Sequence, residues 1–569
     1  MALTKVSNGL IDTSTLGTSN LVLGITAGNS IESGGNYNVL VGDEAGTAIT
    51  TGGFNIAIGS NSLKTDTLGS ASVSIGHGAL LTQNFTTATS VFNVAVGHNA
   101  GKLMTTGTEN TLIGGLAGDA NTTGSYNTSL GMNSLGGNTT ASHNTAIGRL
   151  ALFTNSTGAS NTAVGSGALQ SNSTGASNTA VGLSALVANT TGTRNVSLGA
   201  YSLDANTTAN NNTAIGYDSL TANTTGSGNT ALGRAALSAN TTAALNTAIG
   251  TNALLSNTTG TSNVAVGANA LDANTTASQN TAVGYNTLTA TTTGAANTAV
   301  GFEALGFNST ASNNVGIGWR ALYVNTGHSN TAIGKSALAA NTTAVGSVAV
   351  GANALDALTT GSSNVAVGST AGGSITTGIR NVCIGESAGD HSPALTTGDY
   401  NVIIGAFADA TTAGASAANV IGYNVSGAGG YTTIGSSSSD IRAENGVATW
   451  AVVSDQRYKK DIVDSTAGLS FINALRPRTF KYKTLGELPE TFSAYEADST
   501  EVFKNSETNH GFIAQEIKAA IDADSSIKDG FRLWDDRDDG SQEVAEAALI
   551  PVLVKAIQEL TARLETLEG

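Results

Sequence analysis

Apolar residues in the first three-quarters of this chain come in short, evenly spaced groups rather than in long runs. Thr145-Ala146-Ile147 is followed by Gly148, then by the pair Ala151-Leu152, then by the polar segment Asn155-Ser156-Thr157-Gly158. The β-branched tripeptide reads as a strand, and the Gly and Asn clusters around it are turn chemistry. In such a strand Thr145 and Ile147 share one face while Asn144 and Ala146 share the other. The unit reads N-T-A-V/I-G-x-x-A-L-x-x-N-T-T-G-x-x, and its lead asparagine recurs every 17 residues from Asn127 to Asn314. Looser copies run upstream through Asn110, Asn93, Asn55 and Asn38 to Asn20. Others run downstream through Asn330, Asn364, Asn381 and Asn401 to Asn419. Insertions, such as the one between Gly76 and Asn93, are expected to bulge outward as loops.

A fixed period of this kind marks a solenoid, in which no unit stands alone. One coil has few apolar residues to bury and cannot offset the entropy of ordering its backbone. Stacked coils share backbone ladders and aligned side chains. At roughly 4.8 Å per coil, about two dozen coils give a rod on the order of 115 Å. The pattern predicts a mainly β protein: a parallel β-roll or solenoid shaft over residues 20–424, preceded by a short segment 1–19 and followed by a transition segment 425–453.

From Ser454 the chain becomes a different material, with more than half of all charges and three of the four prolines. A helix is expected around Gly468–Leu475, stopped by Pro477. Strands are expected at Thr479–Tyr482 and near Gly511–Ile513, then an amphipathic helix through about Ile521. A last helix begins near Glu546. In it Leu553, Ile557, Leu560, Leu564 and Leu567 are spaced 4-3-4-3, an a/d seam. That seam fits either a helix packed on its own domain or a small oligomerising coiled coil. Residues 454–569 therefore read as a compact α+β domain ending in a helix.

Composition narrows the function. A net charge of -16 disfavours a nucleic-acid partner. The single cysteine, Cys383, has no partner for an intrachain disulfide and reads as a small apolar filler in a strand. No apolar run is long enough for a membrane-spanning helix or a signal peptide, so no membrane insertion is expected. No cofactor or metal is expected either. His77, His98 and His143 are scattered and read as surface or loop residues. Asp535-Asp536-Arg537-Asp538-Asp539-Gly540 with Glu546 imitates a calcium loop, but Arg537 occupies a ligand position, and a solvated acidic turn fits better. The many Asn-Thr-Thr triplets match a glycosylation pattern that any Asn/Thr turn would also match. A polysaccharide-cleaving spike needs paired carboxylates, and the repeats hold few acids.

The repeat N-T-A-V-G-x-x-A-L is similar to the head repeats of trimeric autotransporter adhesins and to repeats of phage and bacterial fibre proteins. That resemblance implies a parallel β-roll, with three rolls packed around a common axis as a homotrimer. At the other end, four stretches closely resemble the intramolecular chaperone auto-processing domain found at the C-termini of endosialidases, phage tail spikes and neck appendages. They are Ser454-Asp455-Gln456-Arg457-Tyr458-Lys459-Lys460-Asp461-Ile462, GLSFINALRPRTFKYK, His510-Gly511-Phe512-Ile513-Ala514-Gln515-Glu516, and LIPVLVKAIQELTARLETLE. The resemblance implies a domain that trimerises, directs folding of the fibre ahead of it, and cuts itself off.

By the same resemblance Ser454 attacks the carbonyl of Val453, Lys459 is the base, Asp455 orients the turn or the lysine, and the Val453–Ser454 bond breaks. The chemistry is reasonable on its own terms. A serine hydroxyl needs a base, a partly desolvated lysine can supply one, and Lys459 is close enough to Ser454 if the segment folds back. Tyr458 stands where an aliphatic residue is common in the family, and Lys460 doubles the lysine, leaving open which of the two acts. The implied whole is an autocatalytic serine endopeptidase joined to a virion fibre. The fibre would be assembled in the host cytoplasm, attached through its N-terminus to tail or baseplate proteins, and directed at a host cell-surface receptor. The alternative is a bacterial trimeric cell-surface adhesin of similar build.

Overall fold

The computed structural model describes residues 17–437, 439–447, 451–452, 456–524, 527, 533–536 and 540–568. The chain divides into two compact units, Met1–Val453 and Ser454–Gly569. Most of the proposed attachment segment 1–19 lies outside the described residues.

In the first unit a short strand recurs once per coil and pairs in parallel with the next. Thr145-Ala146-Ile147 lies beside Thr162-Ala163-Val164, which lies beside Thr179-Ala180-Val181. This is the parallel β-solenoid that the repeat predicts. The ladder does not stop with the repeat at residue 424. Asn419–Tyr423 pairs in parallel with Tyr431–Ser436, and only then does the chain reverse into an antiparallel pair with Ser439–Glu444. Backbone pairing continues there because its hydrogen bonds need no particular side chain.

Each coil encloses a narrow interior. Asn144, Ala146, Ala151, Leu152 and Asn155 are buried, while Thr145 and Ile147 face outward. The small strand residue goes inside and the large one outside, because Leu152 from the facing segment already fills the core. More side chains per coil are buried than the apolar pattern suggests, since two of them are asparagines. Three corners per coil place non-glycine residues in the left-handed region, here His143, Leu150 and Leu152. Such residues persist only where the surrounding structure over-determines them, and stacked coils do that.

The buried asparagines form two ladders along the rod. The backbone N–H of Asn161 donates to Oδ1 of Asn144 (3.0 Å), and that of Asn178 to Oδ1 of Asn161 (3.0 Å). In the second ladder Nδ2 of Asn172 donates to Oδ1 of Asn155 (2.8 Å) and to the carbonyl of Gly175 (2.9 Å). Asn189 donates in turn to Asn172 (2.8 Å). The asparagine of Asn-Thr-Thr-Gly is thus core as well as turn, and its burial also keeps these glycosylation-like triplets from solvent. Asn172→Ala removes three of these bonds, takes the donor from Oδ1 of Asn155, and leaves Nδ2 of Asn189 with the carbonyl of Gly192 alone (3.0 Å). We expect it to destabilise the local coils by about 2–4 kcal/mol, read as lost hydrogen-exchange protection in residues 155–190.

Departures from the period follow local rules. In the long coil opening at Ser72, Thr86, Thr87 and Ala88 are exposed, and pairing of Gly69–Ser70 with Thr89–Ser90 closes the base of the insertion. Where a strand carries serine in place of alanine, a second serine faces it: Ser129 Oγ lies 2.5 Å from Ser134 Oγ, and Ser197 pairs with Ser202. The histidines are not isolated, contrary to the sequence reading. The rings of His77 and His98 stack at 5.3 Å on adjacent coils, and His143 stacks on Tyr126 at 4.9 Å. A repeat brings residues one coil apart into register.

Near the C-terminal end of the ladder, Asp409 occupies the position that leucine fills in regular coils. It is buried beside Cys383, whose place in the strand Val382–Ile384 matches its reading as filler. Asp409 Oδ1 accepts the N–H of Ala410 (2.7 Å), while Oδ2 has no hydrogen-bond partner. Burial above all, with a smaller push from Asp390, raises its carboxyl to about 7 despite backbone hydrogen bonds that act the other way. Burial likewise lifts the Cys383 thiol to about 12, with Asp409 and then Asp390 adding to it. Between the ordinary carboxylate value and about 7, the folded state holds a proton that the unfolded state has released. Stability therefore falls as pH rises through that window and levels off above it. Asp409→Asn should flatten this slope, an effect of up to about 4 kcal/mol, seen in unfolding midpoints at pH 4 and pH 8.

The second unit is α+β, with elements close to the predicted positions. Helix α1 spans Leu469–Ala474, α2 spans Ala514–Ala523 and α3 spans Leu549–Glu568. Strand β1, Arg478–Phe480, pairs antiparallel with β2, Asn509–Gly511, and Trp534–Asp536 (β3) pairs with Gln542–Val544 (β4). Asp535 and Asp536 of the acidic run lie in β3, and Arg537, Asp538 and Asp539 lie outside the described residues. Phe471, Ile517, Ile521, Leu533, Leu549 and Val552 form the core.

Candidate active site

The motif residues Val453, Ser454 and Asp455 lie outside the described residues. The described part begins with a single 3-10 turn, Gln456–Tyr458, closed by the N–H of Lys459 donating to the carbonyl of Gln456 (3.0 Å). Lys459 and Lys460 are both exposed in the single chain.

Two other motif stretches, far apart in sequence, meet in space. Strand β1 comes from GLSFINALRPRTFKYK and β2 from the His510–Glu516 stretch, with Thr479 opposite His510. Glu516, in the first turn of α2, receives both arms of the Arg478 guanidinium, one at 2.9 Å through Nε, and Arg476 approaches at 3.6 Å. The Arg478 hydrogen bonds hold the Glu516 carboxyl below its ordinary value against a smaller desolvation effect, and the charges of Arg478 and then Arg476 act with them. Beside this pair opens a cleft of about 420 Å³ lined by Pro477, Arg478, Thr479, His510, Gly511, Phe512 and Glu546. Sequence reasoning matched these stretches without seeing that they build one wall. The paired signs of Arg478 and Glu516 were the only clue.

A second long-range contact fixes α1. Glu559 of α3 accepts the N–H of Leu469 (2.9 Å), satisfying a helix-start donor with a carboxylate. A Cβ on Gly468 would stand 2.6 Å from that carboxylate, so a larger residue there would push the Glu559 side chain aside. The buried side of α3 is Leu549, Val552 and Ala556. The a/d seam is not: Leu553, Ile557, Leu560, Leu564 and Leu567 are between 43% and 84% exposed. The helix therefore packs on its own domain through Leu549, Val552 and Ala556, and the seam, on a different side, stays open in the single chain.

Comparison with known proteins bears on this unit. Residues 454–524 match the family model described as chaperone of endosialidase, a peptidase family, S74. The match opens at the motif serine and spans the β1–β2 wall and α2, while α3 lies beyond it. No curated protein and no solved structure matches the chain. The family implies autocatalytic self-cleaving peptidase activity. Behind a β-solenoid of 17-residue turns, this chain carries a C-terminal chaperone-of-endosialidase domain.

Proposed function

We propose that the protein is a phage tail fibre whose shaft attaches the particle to a host surface. In this reading three chains fold together under the C-terminal domain, which then cuts itself off at Val453–Ser454. The observation that carries the reading is the family match opening at residue 454, the residue at which the second compact unit begins.

Trimerisation draws support from two apolar surfaces left open in the single chain. One is the outward strand position, where Ile113, Leu130, Leu198, Ile249, Ile317 and Ile384 follow one another along the rod. The other is the α3 seam. Both are repetitive and linear, as surfaces shared by parallel copies would be. The need for a chaperone follows from the repeat. Sliding one chain by a whole coil against its partners preserves nearly every favourable contact, so register is weakly specified. Joining the three C-termini first removes that degeneracy and raises the local concentration of the shafts.

In the cleavage step Ser454 Oγ attacks the Val453 carbonyl. The neutral amine of Lys459 takes the hydroxyl proton and passes it to the departing amide nitrogen of Ser454. Water then hydrolyses the resulting ester, freeing the Val453 carboxylate and restoring the serine. A lysine serves as base only when uncharged, which burial favours. Lys459 is exposed in the single chain, so the reaction requires the assembled trimer to cover it. Asp455 orients the turn. Once cut, the fibre cannot return to its folding pathway and is held by a kinetic barrier. Mass spectrometry of purified protein should find a fragment beginning at Ser454, and an intact wild-type chain after assembly would refute the proposal.

A further inference from the structure

We infer that the coils around Trp319 bind an extended, carboxylate-bearing polysaccharide lying along the shaft. The inference deepens the attachment reading above by assigning a place on the rod and a ligand chemistry.

The position that follows the strand glycine is filled in most coils by small or polar residues such as Ser166, Ala200, Thr251 and Ala268. Over three consecutive coils it becomes Tyr285, Phe302 and Trp319. All three rings are open to solvent, at 49%, 42% and 42% exposure. Tyr285 and Phe302 stack nearly flat, with centroids 5.6 Å apart and planes 19° from parallel. Trp319 is the one tryptophan of the shaft. The fold does not demand these rings, since neighbouring coils close without them.

The charge around them is equally local. Between Arg234 and Arg380 the chain holds only two lysines or arginines, Arg320 and Lys335. Both lie on this patch. The Arg320 guanidinium sits 4.7 Å from the Trp319 ring centre and 4.8 Å from that of Tyr323, and Lys335 Nζ lies 5.6 Å from Trp319. Arg320 Nε donates to Glu303 (2.7 Å), which fixes the guanidinium but neutralises only one of the two cations. A net positive patch on a sparsely charged, mildly acidic rod selects an anionic partner.

The combination specifies more than charge. A sugar ring offers an apolar C–H face to an aromatic side chain and a polar rim to flanking donors. Aromatic rings repeated along the stacking direction, at roughly 4.8 Å per coil, suit a ligand that is itself a linear repeat. An uncharged glycan would leave Lys335 without a partner.

The test uses the mature, cleaved fibre and calorimetric titration with alginate, polygalacturonate and hyaluronan, with neutral dextran as control. At least one acidic chain should bind, weakening as salt is raised, and dextran should not. Trp319→Ala should weaken binding about tenfold or more, and Lys335→Glu should abolish the preference for acidic chains, with both fibres unchanged in size. Binding to none of the three acidic chains, or binding unaffected by either substitution, overturns the inference. So does dissociation of the Tyr285→Ala/Phe302→Ala fibre into single chains, which would make the patch a contact between copies. Adsorption of the same fibre to host cells is measured separately. Cell binding that survives Trp319→Ala rejects this site while leaving the attachment reading intact.

Discussion

Ser454→Ala protein is expected to remain a single polypeptide of 56.5 kDa, while the wild-type chain separates into residues 1–453 and 454–569. The effect is all or none, because in the proposed reaction the Ser454 hydroxyl is the group that attacks the Val453 carbonyl. The variant should still assemble, since the substitution leaves the residues of the α3 seam and of the outward strand positions unchanged. Its native mass should be three times that of the chain. Lys459→Ala should block cleavage while Lys460→Ala is cut normally, and the reverse pattern would move the base to Lys460. An uncut fibre should also recover its structure after denaturation more completely than a cut one, because its chaperone is still attached.

The second large effect concerns the shaft. Gly182 has φ +144°, and a Cβ there would stand 2.4 Å from the carbonyl oxygen of Gly199 in the next coil and 2.5 Å from its carbon. Backbone, not a flexible side chain, is in the way, and the same glycine recurs in the coils on either side. Gly182→Val therefore combines a conformation that L-residues avoid with a clash that relaxes only if two coils part. We expect a loss of at least about 3 kcal/mol, seen as new proteolytic sites and fast hydrogen exchange between residues 165 and 215. Gly115 supplies the control. A Cβ there meets nothing within 4 Å, so Gly115→Ala should leave the shaft unchanged. Because a solenoid's coils interact with nearest neighbours, damage at Gly182 should stay local rather than melt the rod.

How much of this could be read beforehand depends on whether a residue's role is set by its own segment. The strand tripeptides, the solenoid, the insertions at Gly76–Asn93 and the helices and strands of the C-terminal unit were legible, because period, β-branching and proline act within a few residues. The asparagine ladders were not. Asn172 in Asn-Ser-Thr-Gly has the composition of any turn, and only stacking shows that its amide reaches Asn155 one coil away. The histidine stack at His77 and His98 escaped notice for the same reason. Asp409 stands at the leucine position of the repeat, but its raised pKa was not legible there, since the burial and the nearby Asp390 that cause it come only with stacking.

Sequence by itself determined that this chain is a repeating β-solenoid joined to a chaperone-of-endosialidase domain, and which residues form that domain's motifs. Periodicity and motif order survive in one dimension, so no coordinates were needed. Tertiary structure decided which face of each strand is buried. In a regular strand such as Thr145–Ile147, alanine faces the narrow interior, which leucine from the facing segment and asparagine complete, and the larger residue at the third strand position is left outside. It also decided that Arg478 and Glu516 clasp each other across the unit, and that the a/d seam of α3 points away from its own core. These outcomes turn on which surfaces compete for a limited interior, and that competition exists only once the chain has folded.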